Sequence, residues 1–201
     1  TPGKGRIVRI YGAKSDNNAA LFKRGQDRVL EPLIRSGDIE VVHEDWAEDW
    51  KPENAKRIVN AAITANGPRI DAVLASNDGT AGGAIQALSE EGLAGKVLVT
   101  GQDAETVALQ RIAVGTQAMT IYKPLRTLAS GAAELAVQMA GRRVVVAGKS
   151  VDNGHGPVPS VLFDVVTVTR DNILETVVRD GQASYDDVYR GIPSDQRPPR
   201  P

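Results

Sequence analysis

The sequence predicts an α/β protein, built as a three-layer, doubly wound and mostly parallel sheet. Two observations carry that expectation. Short apolar runs rich in β-branched residues alternate with amphipathic segments of helix length, the signature of successive βαβ units. Polar pairs also follow the apolar runs, where a strand hands over to a helix and a cap is needed. Composition agrees: of 201 residues, 41% are hydrophobic and 24% charged, which suits one or two globular units with a real core.

The strand candidates are Arg6 to Tyr11 ("RIVRIY"), Ile39 to His43, Ala72 to Ala75, Val97 to Thr100 and Ala118 to Ile121. Helices are expected over Ala19 to Arg35, Pro52 to Ala65, Thr80 to Glu91 and Ala104 to Val114. Asp16 or Asn17 can cap the first, Pro52 suits a first helical turn, and Gly92 and Gly115 suit positions just past a helix end. Pro32 predicts a kink or an early end in the first helix, because proline lacks the N–H that the helix interior uses. After Lys123 the rhythm changes. Leu125, Leu128, Ala129, Ala132, Leu135, Ala136 and Met139 share one face at helical spacing, so this helix has a broad apolar side to bury. Gly141 to Pro159 reads as a surface loop, Val161 to Val168 as a β-rich run, Asn172 to Arg179 as a short helix, and "GIPSDQRPPRP" as extended.

Several function classes drop out. A net charge of -1 leaves no surplus of Lys and Arg to neutralise phosphates, so nucleic acid is not an expected partner. With no cysteine there is no zinc knuckle, disulfide framework or thiol nucleophile. "GTAGG" lacks the spacing of a phosphate cradle, and the serines lack a glycine elbow with a plausible histidine. His43 reads as a strand residue and His155 as part of a glycine-rich loop. The reading is therefore a binding protein with no catalysis, no cofactor and no metal.

Ligands of open α/β sheets bind beyond the carboxyl ends of the strands. At those ends this chain carries "GAKSDNNAA", "EDWAEDW", "SNDG", "GQDAE" and "YKP", so each unit delivers an amide, a carboxylate, an indole or an ammonium to one edge. Amides, carboxylates and ammonium groups match vicinal hydroxyls, and a tryptophan face packs on the C–H patch of a sugar ring. The plain reading of Asp78 and Asp103 is helix capping, and that of Trp46 a partly buried loop anchor.

The strings "SDNNAALFKRGQ", "WAEDWKPENAKRI", "ASNDGTAGGAIQALSEEGLAGKV", "GQDAE", "RIAVGTQAMTIYKPL" and "NILETVVRDG" resemble the xylose-binding branch of the type I periplasmic binding proteins, the extracytoplasmic receptors of sugar ABC importers. The resemblance reaches to about Gly181. It implies a sugar clamped between two lobes, of which this chain resembles the second. The implied ligands are Asn18, Trp50, Asn77, Asp103 and Lys123, with Asp78 and Gln102 supporting the turns. It also implies a monosaccharide ligand, D-xylose foremost, a periplasmic or extracytoplasmic location without a signal peptide in this chain, and ABC permease subunits as partners. Residues 1–123 would form the main part of the sugar-binding lobe and 124–160 a crossover segment belonging to the first lobe. Residues 161–181 would return to the sugar-binding lobe, and 182–201 would be an extended tail. The first lobe itself has no counterpart here, so a missing first lobe or a companion chain is a further expected partner. Two other readings share the fold: a sugar-sensing module paired with a membrane histidine kinase, and the effector half of a lac-type repressor.

Overall fold

The computed structural model describes residues 4–200, and its central sheet grows around the first apolar run. Strand β1 (Gly5–Tyr11) lies between β2 (Ile39–Trp46) and β3 (Ala72–Ala75), with β4 (Leu98–Val99) outside β3, and every pairing is parallel. The register sets Tyr11 opposite Trp46 and Ile10 opposite Ala75, so the carboxyl ends of three strands finish level.

Alternation along β1 sorts its side chains onto two layers. Val8 and Ile10 join a core with Ala55, Ile58, Val59 and Ala62 of α2 (Pro52–Asn66) and Ala84, Ala87 and Leu88 of α3 (Asp78–Glu90). Fully burying a side chain such as Ile10, Ile58 or Leu88 contributes about 1.5–3 kcal/mol each. The opposite face meets α1 (Asn17–Arg35), where the buried Arg9 donates to Gln26 Oε1 at 3.2 Å and to Asp27 Oδ1 at 2.7 Å. Burial works against the Asp27 charge, but hydrogen bonds from Lys23 and Arg9 outweigh it and hold the carboxyl below its usual value.

The chain continues through α4 (Thr106–Val114) to β5 (Thr120–Tyr122), which pairs with β8 (Val166–Val168). Residues 1–122 and 167–201 make one compact unit, and residues 123–166 make a second. The second unit contains α5 (Leu125–Ala140) and an antiparallel hairpin of β6 (Lys149–Asp152) and β7 (Pro157–Ser160). Within it, Phe163 closes on Gly131, where a Cβ would lie 2.4 Å from the ring.

The structure departs from expectation in several places. Helix α1 runs through Pro32 to Arg35 and closes with Ser36 N–H donating to Pro32 O at 3.0 Å; the proline sits in an exposed last turn, where water can serve the carbonyl it leaves unpaired. The Gly141 to Pro159 loop holds most of the β6–β7 hairpin. Asn172 to Arg179 contains a π-helical turn, Leu174–Val178, rather than an α-helix. Residues 124–160, expected as a crossover segment, lie within the second unit. The stretch expected as an extended tail instead forms α6 (Tyr185–Val188) and folds back: Gln110 of α4 donates to Asp187 O at 2.8 Å, and Tyr185 Oη donates to Pro198 O at 2.6 Å. Its apolar residues Val188 and Tyr189 are buried, which outweighs the Pro-rich composition.

Candidate functional site

The loops leaving β1 to β4 are stitched together at the carboxyl edge. Ala47 N–H donates to Tyr11 O at 2.9 Å, Ser76 Oγ to Ile10 O at 2.9 Å, and Asp78 N–H to Gln102 O at 2.8 Å. Of the residues singled out from the sequence, Asn18, Trp50, Asn77 and Asp103 sit on or at the ends of these loops.

Trp50 ends a 3-10 turn, Glu48–Trp50, in which Asp49 and Trp50 both adopt left-handed φ values of 55° and 59°. Such a conformation is costly for an indole-bearing residue and persists only where its surroundings hold it. Here the surroundings are specific. The indole covers Gly12, where a Cβ would lie 2.1 Å from the ring, and its Nε1–H donates to Asp16 Oδ2 at 3.2 Å. Phe22 stands edge-on to it, with centroids 6.5 Å apart. The other oxygen of Asp16 accepts from Asn18 N–H at 2.8 Å and caps α1, leaving the Asn18 side chain exposed in the first turn.

Asn77 is the N-cap of α3. Its Oδ1 accepts from Thr80 N–H at 2.8 Å while Thr80 Oγ1 accepts from Asn77 N–H at 3.3 Å, a reciprocal capping box. No hydrogen bond from its Nδ2 is formed among the described residues, so that donor remains for a ligand. Pro52 of α2 approaches the same turn at Gly79, which sets the start of α3 beside the segment that follows Trp50. Asp103 lies across from this turn with φ 109°, and its backbone N–H donates to Ile121 O at 2.9 Å. Asn18, Trp50, Asn77 and Asp103 thus share one edge of the first unit. Lys123 follows β5 directly and opens the second unit.

Asp78, read from the sequence as a helix cap and by the resemblance as a turn support, is not the cap: it lies inside α3, one residue after the Asn77 cap, and is fully buried beneath this edge. It accepts from Gln117 Nε2 at 2.8 Å, Thr120 Oγ1 at 2.9 Å and Glu105 N–H at 3.0 Å. Burial pushes its carboxyl up, and those three hydrogen bonds oppose the shift without cancelling it. Gln102 Nε2 donates to Ser76 O at 3.4 Å, a turn-supporting contact. The sequence reading missed Gly12 as the floor under the indole; a glycine directly after a strand and facing a tryptophan loop is the signal that marks it. Trp46 closes β2 rather than anchoring a loop, with its ring 5.0 Å from Tyr11. It lines a pocket of about 420 Å³ with Lys14, Asp45 and Arg57, beside the Trp50 turn.

Comparison with known proteins gives this edge a context. A family model described as periplasmic binding protein domain matches residues 1–143. The chain is 49% identical to the D-xylose-binding periplasmic protein of Escherichia coli (strain K12) over 89% of its length and 54% of the relative's. It is 47% identical to the protein of the same description from Haemophilus influenzae, over 92% and 56%. The chain therefore spans about half the length of these curated relatives. Among solved structures, the solute-binding protein of a carbohydrate transporter from Chloroflexus aurantiacus, in complex with D-glucose, superposes with a TM-score of 0.84 at 31% identity, over 93% of this chain and 62% of that one. An ABC transporter solute-binding protein from Clostridium phytofermentans with bound β-D-glucose gives 0.79 at 31% identity, over 94% and 61%. A parallel α/β sheet with a polar carboxyl edge, a matching domain model and close sequence relatives agree: the chain belongs to the periplasmic binding protein family, with the type I fold.

Proposed function

We propose that this chain is the second lobe of an extracytoplasmic solute receptor that binds a monosaccharide, D-xylose foremost, and delivers it to the membrane subunits of an ABC importer. The observation that carries the reading is the shared edge, where Asn18, Trp50, Asn77 and Asp103 stand on the loops that follow β1 to β4. Relatives described as D-xylose-binding, at 49% and 47% identity, support the choice of sugar. Amide and carboxylate groups take the sugar hydroxyls, Lys123 adds an ammonium donor, and Trp50 packs on or beside the ring. Trp50 would also fill the space where a hexose carries its hydroxymethyl, which favours a pentose. No step of chemistry is required of any residue. A first lobe covers the other face of the sugar and buries the apolar side of α5.

The test is a calorimetric titration of D-xylose into the full-length protein carrying this chain. Trp50→Ala should weaken binding by more than about tenfold, because a buried aromatic contact at a hot spot is worth at least one such step. Unchanged affinity would remove Trp50 from the site.

A further inference from the structure

We infer that Asp16 is a positioning residue for the sugar site: its carboxylate latches the Trp50 indole over Gly12 with one oxygen and caps α1 at Asn18 with the other. The inference rests on the sugar-binding reading above and names the residue that holds two of its ligands in register. One carboxylate serves two donors that belong to different βα loops, Asn18 N–H at 2.8 Å and Trp50 Nε1–H at 3.2 Å. The latch has something to hold. Trp50 and Asp49 sit in a left-handed turn whose backbone is held by Trp50 N–H donating to Ala47 O at 3.0 Å, Lys51 N–H to Glu48 O at 3.2 Å and Asn54 Nδ2 to Glu48 O at 2.9 Å, while Asp16 is the hydrogen-bond partner of the indole itself. Gly12 makes the approach possible, since any side chain there would meet the indole at 2.1 Å. The indole plane is thus determined from three sides: Gly12 beneath, Phe22 at the edge and Asp16 at the nitrogen. A ring that must meet a sugar face gains affinity from being held before the sugar arrives.

Asp16→Asn separates the two tasks of the carboxylate. Asparagine is as good an N-cap as aspartate, but its amide has one acceptor for two donors, so the helix keeps its cap and the indole loses its partner. In the full-length protein carrying this chain, the parent for these tests, Asp16→Asn is therefore expected to leave the melting temperature near that of the parent while D-xylose binds about fivefold or more weakly, a step typical of losing one charge-assisted hydrogen bond. In a Trp50→Phe background, which has no indole N–H, the same substitution should change affinity less than about twofold, because the coupled contact is already gone. Hydrogen exchange at the Trp50 indole N–H, assigned by that Phe variant, should be slow in the parent and fast in Asp16→Asn. A parent that binds no D-xylose would sink the sugar reading, and slow exchange lost in Asp16→Asn would still establish the latch. Equal exchange rates in the two proteins, or an unchanged D-xylose affinity in Asp16→Asn, overturns the proposal.

Discussion

Three donors converge on the Asp78 carboxylate from three different segments: Glu105 ahead of α4, Gln117 before β5 and Thr120 within it. Arg111 adds to the same knot, donating to Asp78 O at 2.7 Å and to Gln117 Oε1 at 2.9 Å. Gly101 leaves room for it, because a Cβ there would lie 2.1 Å from Asp78 Oδ1. Asp78→Ala strands these donors in a buried site, and each unpaired buried donor costs about 1–3 kcal/mol, so the variant should lose about 3 kcal/mol or more in urea unfolding. A loss below 1 kcal/mol would mean that water or a neighbour replaces the carboxylate. The pH dependence follows from the raised value. Between the unfolded and the raised folded pKa the native state binds the extra proton, so the Asp78 contribution to stability falls as pH rises through that window. Asp78→Ala should remove that slope. A polar pair after an apolar run announces a turn and a cap, and the structure gives that cap to Asn77 rather than to Asp78. Which member of the pair turns inward depends on Gln117 and Thr120, about forty residues on, and no local pattern carries that.

At the scale of elements, the α2–α3 contact depends on an absent side chain. A Cβ on Gly83 would lie 1.9 Å from Pro52 O, a backbone atom that cannot rotate away. Gly83→Ala should force the N-terminus of α2 off α3 and cost about 1–3 kcal/mol, the usual range for overpacking, despite the better helix propensity of alanine. Because Trp50 lies two residues before Pro52, indole fluorescence should report the shift; a variant as stable as the parent with the same emission would show that the helices slide freely. Elements whose pattern is periodic were legible in the sequence: α2 begins at Pro52 and α5 spans Leu125–Ala140 as the apolar spacing requires. Strand lengths were not, since the number of paired residues depends on the neighbour; β4 keeps two of its four expected residues, and β2 runs on to Trp46 alongside Tyr11. The final stretch takes its order from aromatic contacts that composition does not show. Tyr185 and Tyr189 lie 4.8 Å apart by centroid, and Arg200 stands over Tyr185 at 4.8 Å, so side chains far apart in the chain fold a composition that alone reads as extended.

At the scale of the whole molecule, the second unit exposes what a folded protein ordinarily buries. Leu125, Leu128 and Met139 of α5 are 57%, 46% and 68% exposed, and α5 has no buried residue along its length. Complete burial of each is worth about 1.5–3 kcal/mol, and at these exposures roughly half of that is still unused. The proposed first lobe would use it and, on the sugar-binding reading, would also close the sugar site. This chain alone is therefore expected to bind D-xylose without reaching saturation in the millimolar range, since one face of the sugar stays in water. It should also be cut by protease within 123–166, where little is buried, before the first unit is touched. Adding a separately produced first lobe should shield that segment and bring binding to micromolar or tighter. If protection comes without affinity, the lobe covers α5 but the edge formed by Asn18, Trp50, Asn77 and Asp103 is not the sugar site. Micromolar binding by this chain alone would mean that a second copy supplies the missing face, and an oligomer whose formation tracks sugar affinity across protein concentrations would identify it.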